Sequence, residues 1–182
     1  PLGYDTKLTT YNNQVHGAYV DPSSRCIVVR FNGTSLDTIG ISNTVSSQLS
    51  NRKFVTIEVF NNELYVGTGF TEINGVAANR IARWNNITWN AVGNGLDGQP
   101  VALLSYNTNL YVAGEFTTAG SVSAKNIAKW DGVNWDSLGT GLLPYFPGSR
   151  PDGDNHFGGL AFLNTDLFVS AIATLISAND CL

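Results

Sequence analysis

An internal repeat of 46 residues constrains this chain more than any other feature of its sequence. Residues 64–66 read Leu-Tyr-Val, and residues 110–112 read Leu-Tyr-Val again at that spacing. Further matches at the same spacing are Phe70 with Phe116, Ile81 with Ile127, Trp84 with Trp130, and Trp89 with Trp135. So many matches at one spacing indicate a structural unit that is copied along the chain.

Weaker copies of the unit lie on both sides of this pair. Residues 27–40 align with 80–93 at a spacing of 53, and residues 160–169 align with 103–112 at a spacing of 57. The additional residues fall in the Ser- and Asn-rich stretch around 41–52 and in the Pro- and Gly-rich segment 143–158. The repeat predicts four units, approximately 1–40, 54–93, 100–139 and an incomplete 159–182 that stops after two strands.

Each unit reads as four short strands, because short runs rich in β-branched and aromatic residues alternate with turn residues. The third and fourth strands are joined by the pairs Asn32-Gly33, Asn85-Asn86 and Asp131-Gly132. Such pairs supply the left-handed backbone of a tight hairpin. Repeats of about 40–50 residues with four strands are typical of propeller blades. We therefore predict an all-β fold, a β-propeller with four-stranded antiparallel blades, and we expect a fragment of a larger propeller.

Composition narrows the classes of partner. Charged residues make up 13% of the chain and the net charge is −4, so we expect no nucleic-acid partner, which would need clustered Lys and Arg. No apolar run reaches the length of a membrane span, so none is predicted. The chain has no Met and begins with Pro1, from which we expect a processed or excised piece.

The pattern LYVAGEFTTAGSVSAKNIAKWDGVNWDSLGTGL at 110–142 combines a Leu-Tyr-Val-x-Gly strand with an Ile-Ala-[Arg/Lys]-Trp strand. It resembles the repeats of the fungal cortical cell-polarity marker family and of related bacterial and protist surface proteins. Those repeats belong with the kelch and galactose-oxidase central-domain propellers. The resemblance covers 54–142 well, and 26–40 and 159–173 loosely. It implies a secreted or cell-surface propeller without catalytic activity that contributes to large extracellular assemblies.

The recurring tryptophans are candidates for a sugar-binding shelf or for packing. Their positions are Trp84, Trp89, Trp130 and Trp135, and Phe31 takes the place of Trp84 in the first unit. A residue that returns once per blade more often packs between neighbouring sheets than binds a ligand. We therefore predict a structural role for these four side chains.

Three motifs suggest a nucleotide, a metal or catalysis, and each has a simpler interpretation. Residues 93–98 fit G-x-G-x-x-G, but a strand follows where a dinucleotide site needs a helix, so we predict a turn between blades. Asp152, Asp154 and Asn155 only faintly resemble a calcium loop, and we favour a solvated turn. His16 and His156 are isolated in the sequence. We predict no metal, no cofactor and no catalytic residues.

The predicted hairpins also carry two N-glycosylation sequons. Asn32-Gly-Thr and Asn86-Ile-Thr fall in the same hairpin of two different units, where the Asn side chain should face solvent. Given a eukaryotic secretory origin, we expect glycan on at least one of them. The alignment places Cys26 and Cys181 at the start of a third strand in different units, so we predict that they do not form a disulfide with each other.

The inserted segment 143–158 departs from the repeat, so blade packing does not explain it. Candidate binding residues there are of the aromatic, Arg and polar types that are enriched at binding hot spots. They are Tyr145, Phe146, Arg150, Asp152 and His156. The alternative is a longer surface loop without a partner.

The function that we predict is that of a non-catalytic extracellular or cell-surface structural or adhesive module. Its partners would be other protein chains or further blades of its own parent chain. Two alternatives remain open, a carbohydrate-binding propeller and a segment of a glycan-active enzyme. A lectin predicts one exposed aromatic and polar cluster in each blade, whereas an enzyme predicts a single acidic cluster that is not repeated.

Overall fold

A computed structural model describes residues 6–45, 54–142, 157–171 and 174–177. These residues form antiparallel strands and no helix, so the predicted all-β class is confirmed. Sheet 1 contains β1 (Lys7–Tyr11), β2 (Gln14–Val20), β3 (Arg25–Phe31) and β4 (Leu36–Thr44). Each strand pairs with the next along the chain.

Sheets 2 and 3 repeat this arrangement and add a short hairpin after the second strand. Sheet 2 contains β5 (Thr56–Phe60) and β6 (Glu63–Gly67) and, after the hairpin of β7 (Glu72–Ile73) and β8 (Val76–Ala77), β9 (Ile81–Trp84) and β10 (Trp89–Ala91). Sheet 3 contains β11 (Pro100–Tyr106) and β12 (Asn109–Gly114) and, after the hairpin of β13 (Thr118–Ala119) and β14 (Val122–Ser123), β15 (Ile127–Trp130) and β16 (Trp135–Ser137). The hairpin β7–β8 is hydrogen-bonded to sheet 1 through β4, and β13–β14 forms a two-stranded sheet of its own. In sheet 2 the second strand, β6, pairs with the third, β9, and in sheet 3 β12 pairs with β15 in the same way; in each case the short hairpin lies between the two strands in the sequence.

Sheet 4 contains β17 (Phe157–Leu163), β18 (Asp166–Ala171) and β19 (Thr174–Ser177). The expectation that the last unit stops after two strands is therefore wrong, because β19 pairs with β18 as a third strand. The residues of β19 read Thr-Leu-Ile-Ser, which lacks the tryptophan that ends the third strand of sheets 2 and 3. Without that tryptophan the sequence gives little sign of a third strand.

The sheets lie face to face, and their apolar faces form three buried clusters. The first cluster joins sheet 1 to sheet 2, for example through Val28 and Leu64. The second joins sheets 2 and 3 through side chains such as Tyr65 and Val112. The third joins sheets 3 and 4 and contains Val169. Successive side chains of a strand point to opposite faces, and Leu64, Tyr65 and Val66 of β6 are all buried, so an interior sheet presents an apolar face to each neighbour.

The first strands of successive sheets lie side by side. Strand β5 lies against both β1 and β11, and β11 lies against β17. The short hairpins contact the preceding sheet on the other side of the stack. Strand β4 forms one antiparallel residue pair with β7, between Ser42 and Ile73. Neighbouring sheets therefore contact each other through their faces and their first strands, and sheet 1 is also joined to the chain of sheet 2 through the β7–β8 hairpin.

Candidate functional site

The inserted segment that the sequence singles out lies almost entirely outside the residues that the structure describes. Residues 143–156 lie outside the described residues, and with them the candidate binding residues. These are Tyr145, Phe146, Arg150, Asp152 and His156. In the chain this segment connects sheet 3 to sheet 4. The geometry described below belongs to the interfaces between sheets and to the hairpins at their rims.

The tryptophans of the fourth strands link neighbouring sheets by equivalent hydrogen bonds. The indole N–H of Trp89 in β10 donates to the carbonyl oxygen of Ile39 in β4, at 2.8 Å. The indole N–H of Trp135 in β16 donates to the carbonyl oxygen of Val92, at 3.1 Å. Ile39 and Val92 occupy equivalent positions, 53 residues apart. Both tryptophans are buried, so each is anchored at its apolar ring and at its polar atom.

The tryptophans of the third strands complete these contacts. Trp84 lies across from Trp89 with ring centroids 5.4 Å apart, and Trp130 lies across from Trp135 at 5.2 Å. All four rings pack into the clusters between sheets. The structure therefore places the repeated tryptophans at packing positions, where none forms an open shelf for a sugar ring.

Each of the first two interfaces also encloses polar side chains at equivalent positions. In sheet 1, His16 lies directly across the strand pair from Arg30 and is 1% exposed. In sheet 2, Tyr65 lies across from Arg83 and is fully buried. Arg83 donates a hydrogen bond to the Glu63 carboxylate at 2.7 Å, so the positive charge beside Tyr65 is neutralised by an ion pair. At this position of the repeat an aromatic ring thus lies opposite an arginine in both sheets, but the ring is an imidazole in sheet 1 and a phenol in sheet 2.

Burial changes the ionisation of both rings. Desolvation lowers the pKa of His16, the hydrogen bond of its Nδ1 to the Gln14 carbonyl partly opposes this, and the positive charge of Arg30 lowers it further. Because a carbonyl only accepts, Nδ1 carries the proton in the neutral ring. Desolvation likewise raises the pKa of the Tyr65 hydroxyl. The neutral form of both rings is therefore favoured inside the stack.

The glycines of the G-x-G-x-x-G motif turn the chain between sheets 2 and 3. Gly93 and Gly95 have φ angles of +54° and +74°, and strand β11 follows rather than a helix. A Cβ on Gly95 would lie 2.3 Å from the carbonyl oxygen of Asn79, and one on Gly98 would lie 1.7 Å from that of Glu115. The prediction of a turn between units is confirmed, and these glycines are needed for close backbone contact.

The sequence analysis missed the short hairpins and the side chains that hold them. The carboxylate of Asp97 accepts hydrogen bonds from the backbone N–H groups of Thr117 and Thr118 and, at 2.6 Å, from the Thr117 hydroxyl. At the first interface Asn43 accepts from the backbone N–H of Thr71 in the same way. The available signal was Asn74-Gly75, whose φ angles of +49° and +79° form the two-residue turn between β7 and β8.

The sequons lie in exposed hairpins, but their asparagines occupy different turn positions. The side-chain oxygen of Asn32 accepts from the backbone N–H groups of Thr34 and Ser35, so this residue closes its own turn. In the next unit Asn85 plays that part, accepting from Thr88, and Asn86 follows it with a φ of +77°. The two sequon residues, Asn32 and Asn86, are exposed, as predicted from the sequence.

The acidic side chains of sheets 2 and 3 have separate environments. Asp131 accepts from backbone N–H groups within its own hairpin, and Asp136 pairs with Lys129 at 3.1 Å. Glu63 pairs with Arg83. Glu58 lies in the middle of β5, and burial raises its pKa. Within the described residues, no group of three His, Cys, Asp or Glu side chains could hold a metal ion.

Cys26 is a buried cysteine in the third strand of sheet 1, and the lack of a disulfide with Cys181 stays a prediction. Cys181 itself lies outside the described residues. Burial raises the pKa of the Cys26 thiol to about 12, so it stays protonated at neutral pH. A protonated, enclosed thiol is a poor nucleophile and acts here as a small apolar side chain.

Comparison with known proteins adds no assignment to this geometry. No protein-family model matches the chain, and no curated protein matches it. Among the described residues, none belongs to a helix that could cross a membrane.

Proposed function

We propose that the chain is a non-catalytic structural and protein-interaction module of an extracellular or cell-surface assembly. We further propose that its sheets are blades of a β-propeller of the kelch and galactose-oxidase central-domain type. The observation that carries the proposal is the repeated interface. Equivalent side chains pack each sheet on the next, and the recurring aromatic residues are used in that packing.

The arrangement of first strands supports the propeller. Blades of a propeller surround a central axis with their first strands innermost, and successive blades pack face to face. Here β1, β5, β11 and β17 follow one another along one side of the stack. The hairpins between third and fourth strands carry Asn32 and Asn86 in exposed positions, where both side chains are accessible to solvent for the attachment of a glycan.

Partners would be other protein chains or further blades of a parent chain, and they would meet the inserted segment and the exposed hairpins. The segment 143–158 interrupts the repeat between sheets 3 and 4, so its sequence is free of the packing constraint. Its residues Tyr145, Phe146 and Arg150 are of the types that dominate binding energy in protein interfaces.

The proposal is tested by secreting the chain from a eukaryotic cell behind a heterologous signal peptide. We expect a folded protein whose mass falls on N-glycosidase treatment, with smaller shifts for Asn32→Gln and Asn86→Gln. A chain that is retained and degraded, or secreted without glycan at either sequon, would contradict the proposed extracellular glycoprotein.

The secreted protein then distinguishes the three functional classes. The structural proposal expects no binding on a glycan array and no product from a panel of oligosaccharides. Glycan binding that weakens when Tyr145 and Arg150 are replaced by Ala would favour a lectin. Released sugar would favour an enzyme, and Glu58→Gln would then be the first variant to examine, because burial already raises the pKa of Glu58.

A further inference from the structure

Sheet 1 leaves one apolar face exposed. Thr10, Val15, Phe31 and Leu36 lie next to one another across its four strands and form what we call the free row. Val15 is 43% exposed, Phe31 41% and Leu36 63%. Leu8, in the neighbouring row of the same face, is 69% exposed. A contiguous apolar face of this kind is uncommon on a soluble domain without a partner.

The equivalent rows of the next two sheets show what covers such a face. In sheet 2 the row consists of Val59, Leu64, Trp84 and Trp89. In sheet 3 it consists of Ser105, Leu110, Trp130 and Trp135. Leu64 and Leu110 are fully buried, although Val15 occupies the same position in sheet 1. In both cases the cover is the opposite face of the preceding sheet, so the free row has the geometry of a receiving surface.

Sheet 4 presents the opposite face at the other end of the stack. Leu163 in β17 is 63% exposed, whereas its equivalents Tyr11 and Phe60 are 3% and 2% exposed because the next sheet covers them. Phe168 in β18 occupies the position of Tyr65. The two ends of the stack therefore carry the two halves of the interface that the molecule already uses between its own sheets.

The departures of these two faces from the repeat match each other. Between sheets 2 and 3, Tyr65 and Trp130 pack in one cluster, and both carry polar atoms. The free row has Phe31 at the Trp130 position, and sheet 4 has Phe168 at the Tyr65 position, so neither ring of the new pair needs a hydrogen bond. Replacing polar atoms on both sides of a buried contact avoids the cost of leaving one unpaired.

A second departure points the same way. Trp89 donates to a carbonyl in the fourth strand of sheet 1, and Trp135 donates to the carbonyl of Val92, which directly follows the fourth strand of sheet 2. The free row has Leu36 at this position. Its side chain has no donor, so it can be buried in a contact without a carbonyl opposite it.

We propose that the free row binds the outward face of sheet 4 in a second copy of the chain, head to tail. The inference deepens the proposed structural role and rests on it. Such a contact uses different surfaces on the two partners, so it continues from copy to copy unless the rotation closes a ring. The free row would be buried at each junction as Leu64 and Leu110 are within the chain.

Sedimentation of the full chain, prepared without N-linked glycans, tests the proposal. We expect association that rises with protein concentration. Leu36→Lys and Leu163→Lys each place a charge in the contact and should weaken association at least about tenfold. Both positions are exposed in the single chain, and unfolding curves like that of the wild type would show that each variant folds. Ile87→Lys is the matched control, since Ile87 is 79% exposed on the β9–β10 hairpin, away from both faces.

Mixing the two variants identifies the surfaces. Leu163→Lys keeps an intact free row and Leu36→Lys keeps an intact sheet 4 face, so together they can form one contact and should give dimers that neither forms alone. Wild type that stays monomeric, or a mixture that stays monomeric, would overturn the proposal. So would Leu163→Lys associating like wild type, since that points to two free rows packing on each other. None of these results alters the secretion and glycan tests of the proposed function.

Discussion

The equivalent positions of this repeat hold side chains with different chemistry in the same surroundings. His16 in sheet 1 and Tyr65 in sheet 2 both lie across from an arginine and both are buried. The tyrosine stays neutral over the whole physiological range, whereas a histidine can gain a proton near neutral pH. The stability of the first interface is therefore the one that we expect to respond to pH.

We expect His16→Tyr to remove a pH dependence of folding stability. Burial lowers the pKa of His16 below the ordinary histidine value of 6.5, so the unfolded chain binds this proton more tightly than the folded chain. The stability that the neutral ring confers is complete above that value and is lost as pH falls, by at most about 1.4 kcal/mol per pH unit. Urea unfolding between about pH 5 and 7 measures it. Equal slopes for the wild type and the variant would contradict the prediction, since every other ionisable group is present in both proteins.

The indole N–H groups allow a second test at this scale. Trp89→Phe removes a 2.8 Å hydrogen bond to the carbonyl oxygen of Ile39, which keeps a 3.2 Å hydrogen bond from the side-chain amide of Asn74, so the loss should be about 1 kcal/mol beyond the lost ring volume. Trp84→Phe is the control, because the buried Nε1 of Trp84 has no hydrogen-bond partner among the described residues. Both losses are measured by urea unfolding. A loss for Trp84→Phe as large as that for Trp89→Phe would show that ring volume alone matters.

At the level of elements, the sequence predicts the long strands well and the short ones poorly. The four-strand order follows from apolar runs and from turn pairs such as Asp131-Gly132, whose glycine has a φ of +104°. The hairpins β7–β8 and β13–β14 have two residues in each strand, too few for a periodic pattern to indicate them. They exist because side chains distant in sequence, Asn43 and Asp97, hold their first residues.

The candidate site was predictable only in part for a related reason. A position that recurs with the repeat, such as Trp135, predicts a packing role because every unit must solve the same packing problem. The residue that accepts these hydrogen bonds differs between interfaces: Asp97 accepts from Thr117 in the second interface, whereas Asn43 accepts from Thr71 in the first. A pairing that depends on two loops meeting in space leaves no local pattern in the sequence.

We expect Asp97→Ala to loosen the β13–β14 hairpin and Asp97→Asn to preserve it. The alanine variant leaves the N–H groups of Thr117 and Thr118 without their acceptor, at a cost of about 1–3 kcal/mol. Asparagine retains an acceptor oxygen and is the residue that serves the first interface. Hydrogen exchange of residues 115–125, followed by mass spectrometry, should accelerate in the alanine variant alone. Equal acceleration in both variants would mean that the charge of Asp97, rather than its geometry, holds the hairpin.

At the scale of the whole molecule, the four sheets form a stack in which contacts join neighbours. Within the part of the chain that the structure describes, the interior sheets are covered on two faces, whereas sheets 1 and 4 are each covered on one. Stability in such an arrangement is close to a sum of the stability of each unit and of each interface. An end sheet can therefore open while the remainder stays folded, and the sheets that offer their faces to a second copy are also the least constrained.

A matched pair of substitutions tests this reading of the stack. Val112 in β12 and Val169 in β18 occupy equivalent positions and are 0% and 1% exposed, so Val→Ala removes the same buried methyl groups at each, at a local cost of about 2 kcal/mol. Because Val169 lies at an end, Val169→Ala should speed hydrogen exchange in β17, β18 and β19 and leave sheets 1 and 2 protected. Val112→Ala should lower the protection of both sheet 2 and sheet 3, because its side chain belongs to the cluster between them. The measurement is made at a concentration where the chain is monomeric.

If Val169→Ala instead reduced protection equally in all four sheets, the chain would be unfolding as one cooperative unit, and the sum over neighbouring interfaces would not describe it.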